Sequence, residues 1–210
     1  MSVLKVENLK KSFGDHVIFD GFHMEIQQGE FVAIEGRSGA GKSTLLNMIG
    51  LLDYPDAGNI VLFNEKNIKP FTRKAETYLK NHIGYLFQNF ALLDDKSVYY
   101  NMMLAIEHHK MDNKKQKIAE ALKQVGLEGY EDKKVFKCSG GEQQRISIAR
   151  LLLKPCELVL ADEPTGSLDE ENKKIVFSLL KQLQKMGKTV IVVSHDPDLI
   201  KIADRVIQLT

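Results

Sequence analysis

The stretch GRSGAGKST, residues 36–44, sets three glycines within six positions and ends on Lys42, Ser43 and Thr44. Before it lies EFVAIE (30–35), a short apolar run suited to a buried strand. After it comes LLNMIGLL (45–52), apolar at helical spacing. A loose loop between two rigid elements is a device for wrapping polyphosphate, because successive backbone N–H groups can point inward at one anion. The helix predicted to begin near Lys42 adds its N-terminal partial positive charge and its unpaired amides. Gly36, Gly39 and Gly41 permit the torsions and the close approach, with Arg37, Ser38 and Ala40 completing the loop. Lys42 can then reach the β- and γ-phosphates, and the Ser43 hydroxyl can ligate Mg²⁺. The pattern G-x-x-x-x-G-K-[ST] is fully met in the strand–loop–helix setting it requires, which disfavours a mere glycine-rich connection. Nucleoside triphosphate binding is therefore expected, and kinases, GTPases and motors all stay open at this point.

A chain of 210 residues fits one large α/β domain, or a core with a modest insertion. At that size folding requires neither disulfide nor metal. Lys+Arg 29 against Asp+Glu 28 leaves a formal net charge of +1, so no basic excess argues for nucleic acid, and none is expected as a partner. The two cysteines, Cys138 and Cys156, form no CxxC pair, which weakens metal and redox readings and points to a reducing compartment. No apolar run reaches the ~18 residues of a membrane span. The start MSVLKVENLKKSF carries charges where a signal peptide needs an apolar stretch. A cytoplasmic location follows as the expectation, with any membrane attachment supplied by another protein.

Near-continuous apolar runs at 31–35, 158–162, 189–194 and 205–209 read as parallel strands buried on both faces. Between them ENKKIVFSLLKQLQKM (171–186) is a clear amphipathic helix, so the core is βαβ. The early segments SVLKVENLKKSF, HVIFDGFHMEI and GNIVLFN alternate more, and predict an antiparallel sheet packed on that core. Residues 95–150 lack any strand-like run and predict a helical insertion, with KSVYYNMMLAIEHHK and KKQKIAEALKQVGL as its helices. The domain division expected is 1–88 with 156–210 for the core, and 89–155 for the insertion. His108 and His109 have no third or fourth ligand at useful spacing, so a solvated pair is favoured over a metal site.

A second block of chemistry stands at ELVLADEPTGSLD (157–169). Asp162 emerges at the end of a strand, where an acid beside a phosphate loop can hold Mg²⁺, and Glu163 can deprotonate a water for in-line attack. A third lies at CSGGEQQRISIAR (138–150), where Ser139, Gly140 and Gly141 open an amphipathic helix and so form another anion site. One compact subunit cannot easily wrap a single nucleotide with both sites. The second site makes sense if it serves a neighbouring copy.

With these motifs together, the sequence resembles the nucleotide-binding domain of ATP-binding-cassette (ABC) transporters over essentially its whole length. The resemblance implies an α/β fold: a P-loop NTPase core with a parallel sheet, an antiparallel β subdomain and an inserted helical subdomain. It implies ATP and Mg²⁺ as ligands, a second copy of the chain in an ATP-sandwich dimer, and a transmembrane permease subunit as partner. The family signature LSGGQ stands here as CSGGE; Cys138 is a mild change, whereas Glu142 adds a negative charge close to the phosphate site. By the same resemblance Gln88 in YLFQNF senses Mg²⁺ and connects to the permease. Asp169 communicates across the dimer, and His195 in VVSHD contacts the γ-phosphate. Phe13 in KSFG stacks on adenine, with Val17 flanking the ring. Taken alone, an aromatic in a strand or a lone histidine after one would be structural. Within the family, IGYLFQNFALLDDKSVYYNM and LADEPTGSLD are similar to the bacterial peptide, macrolide and lipoprotein-release branch, closest to bacteriocin-export ATPases. Two other readings remain: a soluble ABC ATPase acting on ribosomes or DNA, and a switch that binds ATP without hydrolysing it. The first lacks the paired cassettes or long coiled coil it needs, and Glu163 with His195 argue against the second.

Overall fold

Near-continuous apolar runs must find cover on two sides, and those at 31–35, 158–162 and 189–194 do; the run at 205–209 does not, because it forms an edge strand with Arg205, Val206 and Gln208 exposed. In the computed structural model, which describes residues 1–166 and 168–209, the chain opens with strands β1 (Ser2–Phe13), β2 (His16–Gln27) and β3 (Phe31–Gly36). Helix α1 (Lys42–Ile49), strands β4 (Ala57–Leu62) and β5 (Glu65–Lys66), helix α2 (Arg73–Asn81) and strand β6 (Ile83–Leu86) follow. Helices α3 (Val98–Leu104), α4 (Lys114–Gln124) and α5 (Gly140–Leu153) come next, with a 3-10 turn at Val135–Lys137. The chain then alternates β7 (Leu158–Asp162), α6 (Glu170–Lys185), β8 (Thr189–Val193), α7 (Pro197–Lys201) and β9 (Arg205–Leu209).

Five strands form a parallel sheet in the order β6-β7-β8-β3-β9. Alternate residues of each strand feed opposite cores. Phe31, Ala33, Val159, Ala161, Val190 and Val192 face α3 to α6, whereas Val32, Ile34, Leu158, Leu160, Ile191 and Val193 face α1 and a second sheet. That second sheet is antiparallel, order β2-β1-β4-β5, and its Leu4, Val6, Leu9 and Ile26 close the core over α1. Helices α3 to α5 all lie between β6 and β7, so the expected helical insertion is present, as are the parallel core and the antiparallel subdomain.

Three local expectations differ. Strand β6 was not read from the sequence: it is four residues long and contains Gly84, where a Cβ would press on Leu151 and Cys156, so packing rather than propensity makes it a strand. Helix α3 covers only seven residues of the stretch assigned to it, and α1 stops at Ile49 because Leu51 takes a left-handed φ of 58°. Among the described residues, no cluster of three or more His, Cys, Asp or Glu side chains is arranged to hold a metal.

Candidate nucleotide site

β3 delivers Gly36 to the carboxyl edge of the parallel sheet, and the loop turns there into α1. Gly41, the residue before the helix, has φ 85°, and a Cβ on it would collide with the Ile18 side chain of β2. Glycine is required twice over at that point, for torsion and for clearance. The Lys42 ammonium donates to the carbonyls of Gly36 (2.8 Å) and Arg37 (2.9 Å), which arches it over the loop. Ser43 Oγ donates to Asp162 Oδ1 at 3.1 Å, joining residues brought together only by the sheet. Burial raises the Asp162 carboxyl above its ordinary value, and the Ser43 hydroxyl and Lys42 only partly offset this. A half-buried carboxylate paired with a hydroxyl is a hard oxygen set that suits Mg²⁺, whose charge would relieve that burial cost. The residues fit the ion.

The next residue is the most unusual in the site. Glu163 adopts φ 43°, a left-handed conformation that costs a non-glycine residue energy. Its amide donates to the Val193 carbonyl (3.0 Å), fixing it to the end of β8, and Oε1 lies 2.7 Å from His195 Nδ1. The His195 side chain is 75% exposed and the Glu163 side chain 17%. Gln88, exposed, follows β6, whose Leu86 pairs with Ala161, so the same sheet edge presents Gln88, Asp162, Glu163 and His195.

An open cleft of about 480 Å³ gathers Phe13, Ser38, Gly39, Gly41, Lys42, Ser43, Thr44 and Glu163. Phe13 is 54% exposed, so it is a surface platform and not a core residue. His16 and Ile18 of β2 share the lining. Val17, exposed between them, is not among the residues lining this cleft, because strand alternation turns it to the other face. Gly36 and Arg37 line an adjoining cleft of about 570 Å³ with His195. Ala40 packs against the core beneath the loop.

Ser139, Gly140 and Gly141 open α5 and are not among the residues lining the phosphate cleft. Ser139 Oγ accepts from the Glu142 amide (3.2 Å), and Glu142 Oε2 accepts from the Ser139 amide (2.7 Å), a reciprocal cap. The negative charge that Glu142 brings to this helix start has partners: its carboxylate is also hydrogen-bonded by the Tyr130 hydroxyl at 2.6 Å and ion-paired to Lys133 at 3.2 Å. Asp169 caps α6, accepting from the Asn172 amide and side chain at 2.8 Å each. A Cβ at Gly141 would strike Asn172, so the Asp169 cap and the start of α5 abut. Ser167 of the same loop lies outside the described residues.

Sequence reasoning missed the ties from α5 to the sheet edge that carries Asp162 and Glu163. Buried Gln144 donates to the Pro164 carbonyl (2.7 Å), directly behind Glu163, and Ser147 donates to the Phe90 carbonyl (2.8 Å) beyond Gln88. Two polar residues one helical turn apart on the apolar face of α5 were the available signal.

With this geometry, the family model described as "ABC transporter" matches residues 19–166. The chain belongs to the ABC transporter family. A probable amino-acid import ATP-binding protein, YxeO of Bacillus subtilis, is 40% identical over 98% of this chain and 84% of its own length. The macrolide export ATP-binding/permease protein MacB of Campylobacter jejuni is 38% identical over 97% of this chain, which spans only 32% of that longer protein. Among solved structures, a dimeric post-hydrolysis state of the ATP-binding cassette MJ0796, bound to ADP and Pi, has a TM-score of 0.87. It is 33% identical and covers 99% of this chain and 94% of its own. The cassette described here is thus an ABC ATPase of the branch that includes macrolide exporters.

Proposed function

We propose that two copies of this cassette close around two ATP molecules and that hydrolysis drives a separate membrane permease. The observation that carries the reading is the separation of two anion-ready elements: the loop at Lys42, and the capped helix start at Ser139, which lies outside that cleft. In the dimer each composite site takes Lys42 from one chain and Ser139 from the other. Phe13 stacks on adenine, while loop amides and Lys42 hold the phosphates; the Ser139 hydroxyl and the Gly140 and Gly141 amides close the γ-phosphate from across the interface. Ser43, Asp162 and Gln88 are the residues that would hold Mg²⁺, which supplies charge neutralisation on the β- and γ-phosphate oxygens. Glu163 Oε1 is engaged by His195, leaving Oε2 to take the proton of the attacking water. With Nδ1 committed to Glu163, His195 meets the γ-phosphate through Nε2. Asp169 carries the state of one site to the other.

Residues 1–88 and 156–210 act as the ATP-binding core and 89–155 as a helical subdomain. An apolar cleft of about 360 Å³, walled by Leu79, Tyr85, Phe87 and Leu104 with Arg150 and Lys154, lies between them next to Gln88. It is the proposed seat of the permease's cytoplasmic segment, and would hold the cassette on the inner face of the membrane. No helix among the described residues is long and apolar enough to cross a membrane. Export of a peptide, bacteriocin or macrolide-like substrate is the transport reading, supported by the likeness to MacB; the likeness to YxeO favours amino-acid import as the second.

The test mixes two inactive proteins. Homodimers of Lys42→Ala or of Ser139→Arg have both sites defective, whereas their hybrid concentrates both changes in one site. Hybrids purified by two different tags should regain single-turnover hydrolysis at one site per dimer. If such hybrids bind ATP and cleave none, the shared-site reading is wrong.

A further inference from the structure

The Glu142 carboxylate is the meeting point of three segments. Its Oε2 accepts from the Ser139 amide at 2.7 Å, and its Oε1 accepts from the Tyr130 hydroxyl at 2.6 Å. Lys133 Nζ lies 3.2 Å from Oε2 and 3.4 Å from Oε1, and stands 4.1 Å from the centre of the Tyr130 ring. The Glu142 side chain is 17% exposed and that of Lys133 30%, so the pair is partly shielded from solvent. Residues 130–136 are themselves anchored: Val98 N donates to Lys133 O (2.9 Å), Tyr99 N to Glu131 O (2.8 Å) and Val135 N to Lys96 O (3.1 Å). The clamp on Glu142 therefore rests on a fixed segment.

A carboxylate in the first turn of α5 has two opposite consequences. It completes the cap of Ser139 and complements the helix dipole. Left bare, it would also repel the phosphates of a nucleotide arriving at the same helix end. We propose that Tyr130 and Lys133 are positioning residues that act through Glu142: they neutralise its charge, turn it away from the incoming γ-phosphate, and hold Ser139 ready for the ATP of the neighbouring subunit. Neither residue touches nucleotide. The inference rests on the shared-site reading above and adds to it which residues prepare the signature side.

The experiment uses the same tagged hybrid and adds Lys133→Met to one subunit at a time. On the Lys42→Ala subunit, whose Ser139 serves the live site, the substitution should slow single-turnover cleavage roughly ten- to a hundredfold, as small displacements of a positioning group do. On the Ser139→Arg subunit, whose signature is already disabled, the same substitution should leave the live site's rate within about twofold, there being no remaining interaction for it to alter. A purely structural role would lower both placements alike. Adding Glu142→Gln beside Lys133→Met should restore the signature-side rate, because glutamine keeps the reciprocal cap without the charge. Tyr130→Phe, which removes one hydroxyl, should reproduce the side-dependent loss in milder form if Lys133→Met folds poorly. Mg-ADP affinity of the isolated variants, read by calorimetry, should match the parent, since their own phosphate loop is untouched. Equal loss on both sides, no loss on the signature side, or no recovery with Glu142→Gln each overturns the proposal while the parent hybrid stays active. A parent hybrid without turnover overturns the shared-site reading and this inference together.

Discussion

Glu163 sits at φ 43° with its amide on Val193 O and its carboxylate on His195. Two hydrogen bonds, one to the end of β8 and one to the histidine after it, hold this residue in a conformation that glutamate does not choose by itself, and such strain persists only where surrounding structure over-determines it. The benefit is aim: a carboxylate fixed at the sheet edge beside Asp162 has little freedom to lose when water arrives. Glu163→Gln preserves size and the hydrogen bond to His195 but removes the proposed base. We expect multiple-turnover phosphate release to fall by roughly 10²–10⁴-fold, the usual contribution of a general base. ATP affinity should be unchanged, and an ATP-dependent dimer should accumulate on a sizing column. Near-normal phosphate release would remove Glu163 from the role of base.

At the scale of elements, α5 links the site to the rest of the molecule. The Arg150 guanidinium donates to the carbonyls of Phe90 and Ala91 at 2.8 Å each, and Ser147 donates to Phe90 as well. Both acceptors belong to left-handed residues, φ 61° and 47°, just beyond Gln88. Burial pushes Arg150 down to about 10, so it stays cationic at neutral pH. Helix α5 thus grips the turn after β6 with its last residues and caps Ser139 with its first. Replacing Arg150 by Met should destabilise the fold by about 1 kcal/mol, the net worth of its hydrogen bonds to the turn, since water can reach the exposed Ala91 carbonyl and Ser147 still serves Phe90. Denaturant titration measures that loss, and ATP affinity should hold, because Lys42 and its loop are untouched. A stability equal to the parent's would mean that the turn needs no such anchor.

For the whole molecule, Asp204 closes the parallel sheet. Burial alone would raise its carboxyl, but the Phe31 amide, Gln184 and Lys181 outweigh that and hold it below the ordinary carboxylate range. Its Oδ2 accepts from Phe31 N at 2.9 Å, tying the start of β9 to the start of β3. The sign follows from the lowered value. This contribution is complete above the unfolded pKa near 3.8 and is lost as pH falls through the lower folded value. Asp204→Asn should therefore melt lower than the parent at pH 7, by at most about 2 °C, since solvent screens a side chain that is 44% exposed and keeps the loss below about 1 kcal/mol. The gap should narrow as pH falls below the unfolded value near 3.8, as the parent's own carboxylate protonates. A gap that is constant from pH 7 to pH 3 would show that the charge on Asp204 contributes nothing.

Motifs whose chemistry is local were legible in the chain: GRSGAGKST, the acids that end LVLAD and the serine–glycine opening of α5 each need only neighbours in sequence. The buried parallel strands β3, β7 and β8 were legible too, because two-sided burial leaves an apolar run with no alternation; β9, read the same way, lies mostly exposed at the sheet edge. Strand β6 was not legible, since four residues around Gly84 become a strand only through pairing with β7. The same holds for the pairing of Ser43 with Asp162 and of Glu163 with His195, contacts across 119 and 32 positions that sheet order alone creates. Glu142 makes the difference plain. Its charge and its place in the signature, close to the phosphate site, could be read from the sequence. That Tyr130 and Lys133 neutralise that charge depends on residues 130–136 being anchored to the start of α3, and packing of that kind is fixed only in three dimensions.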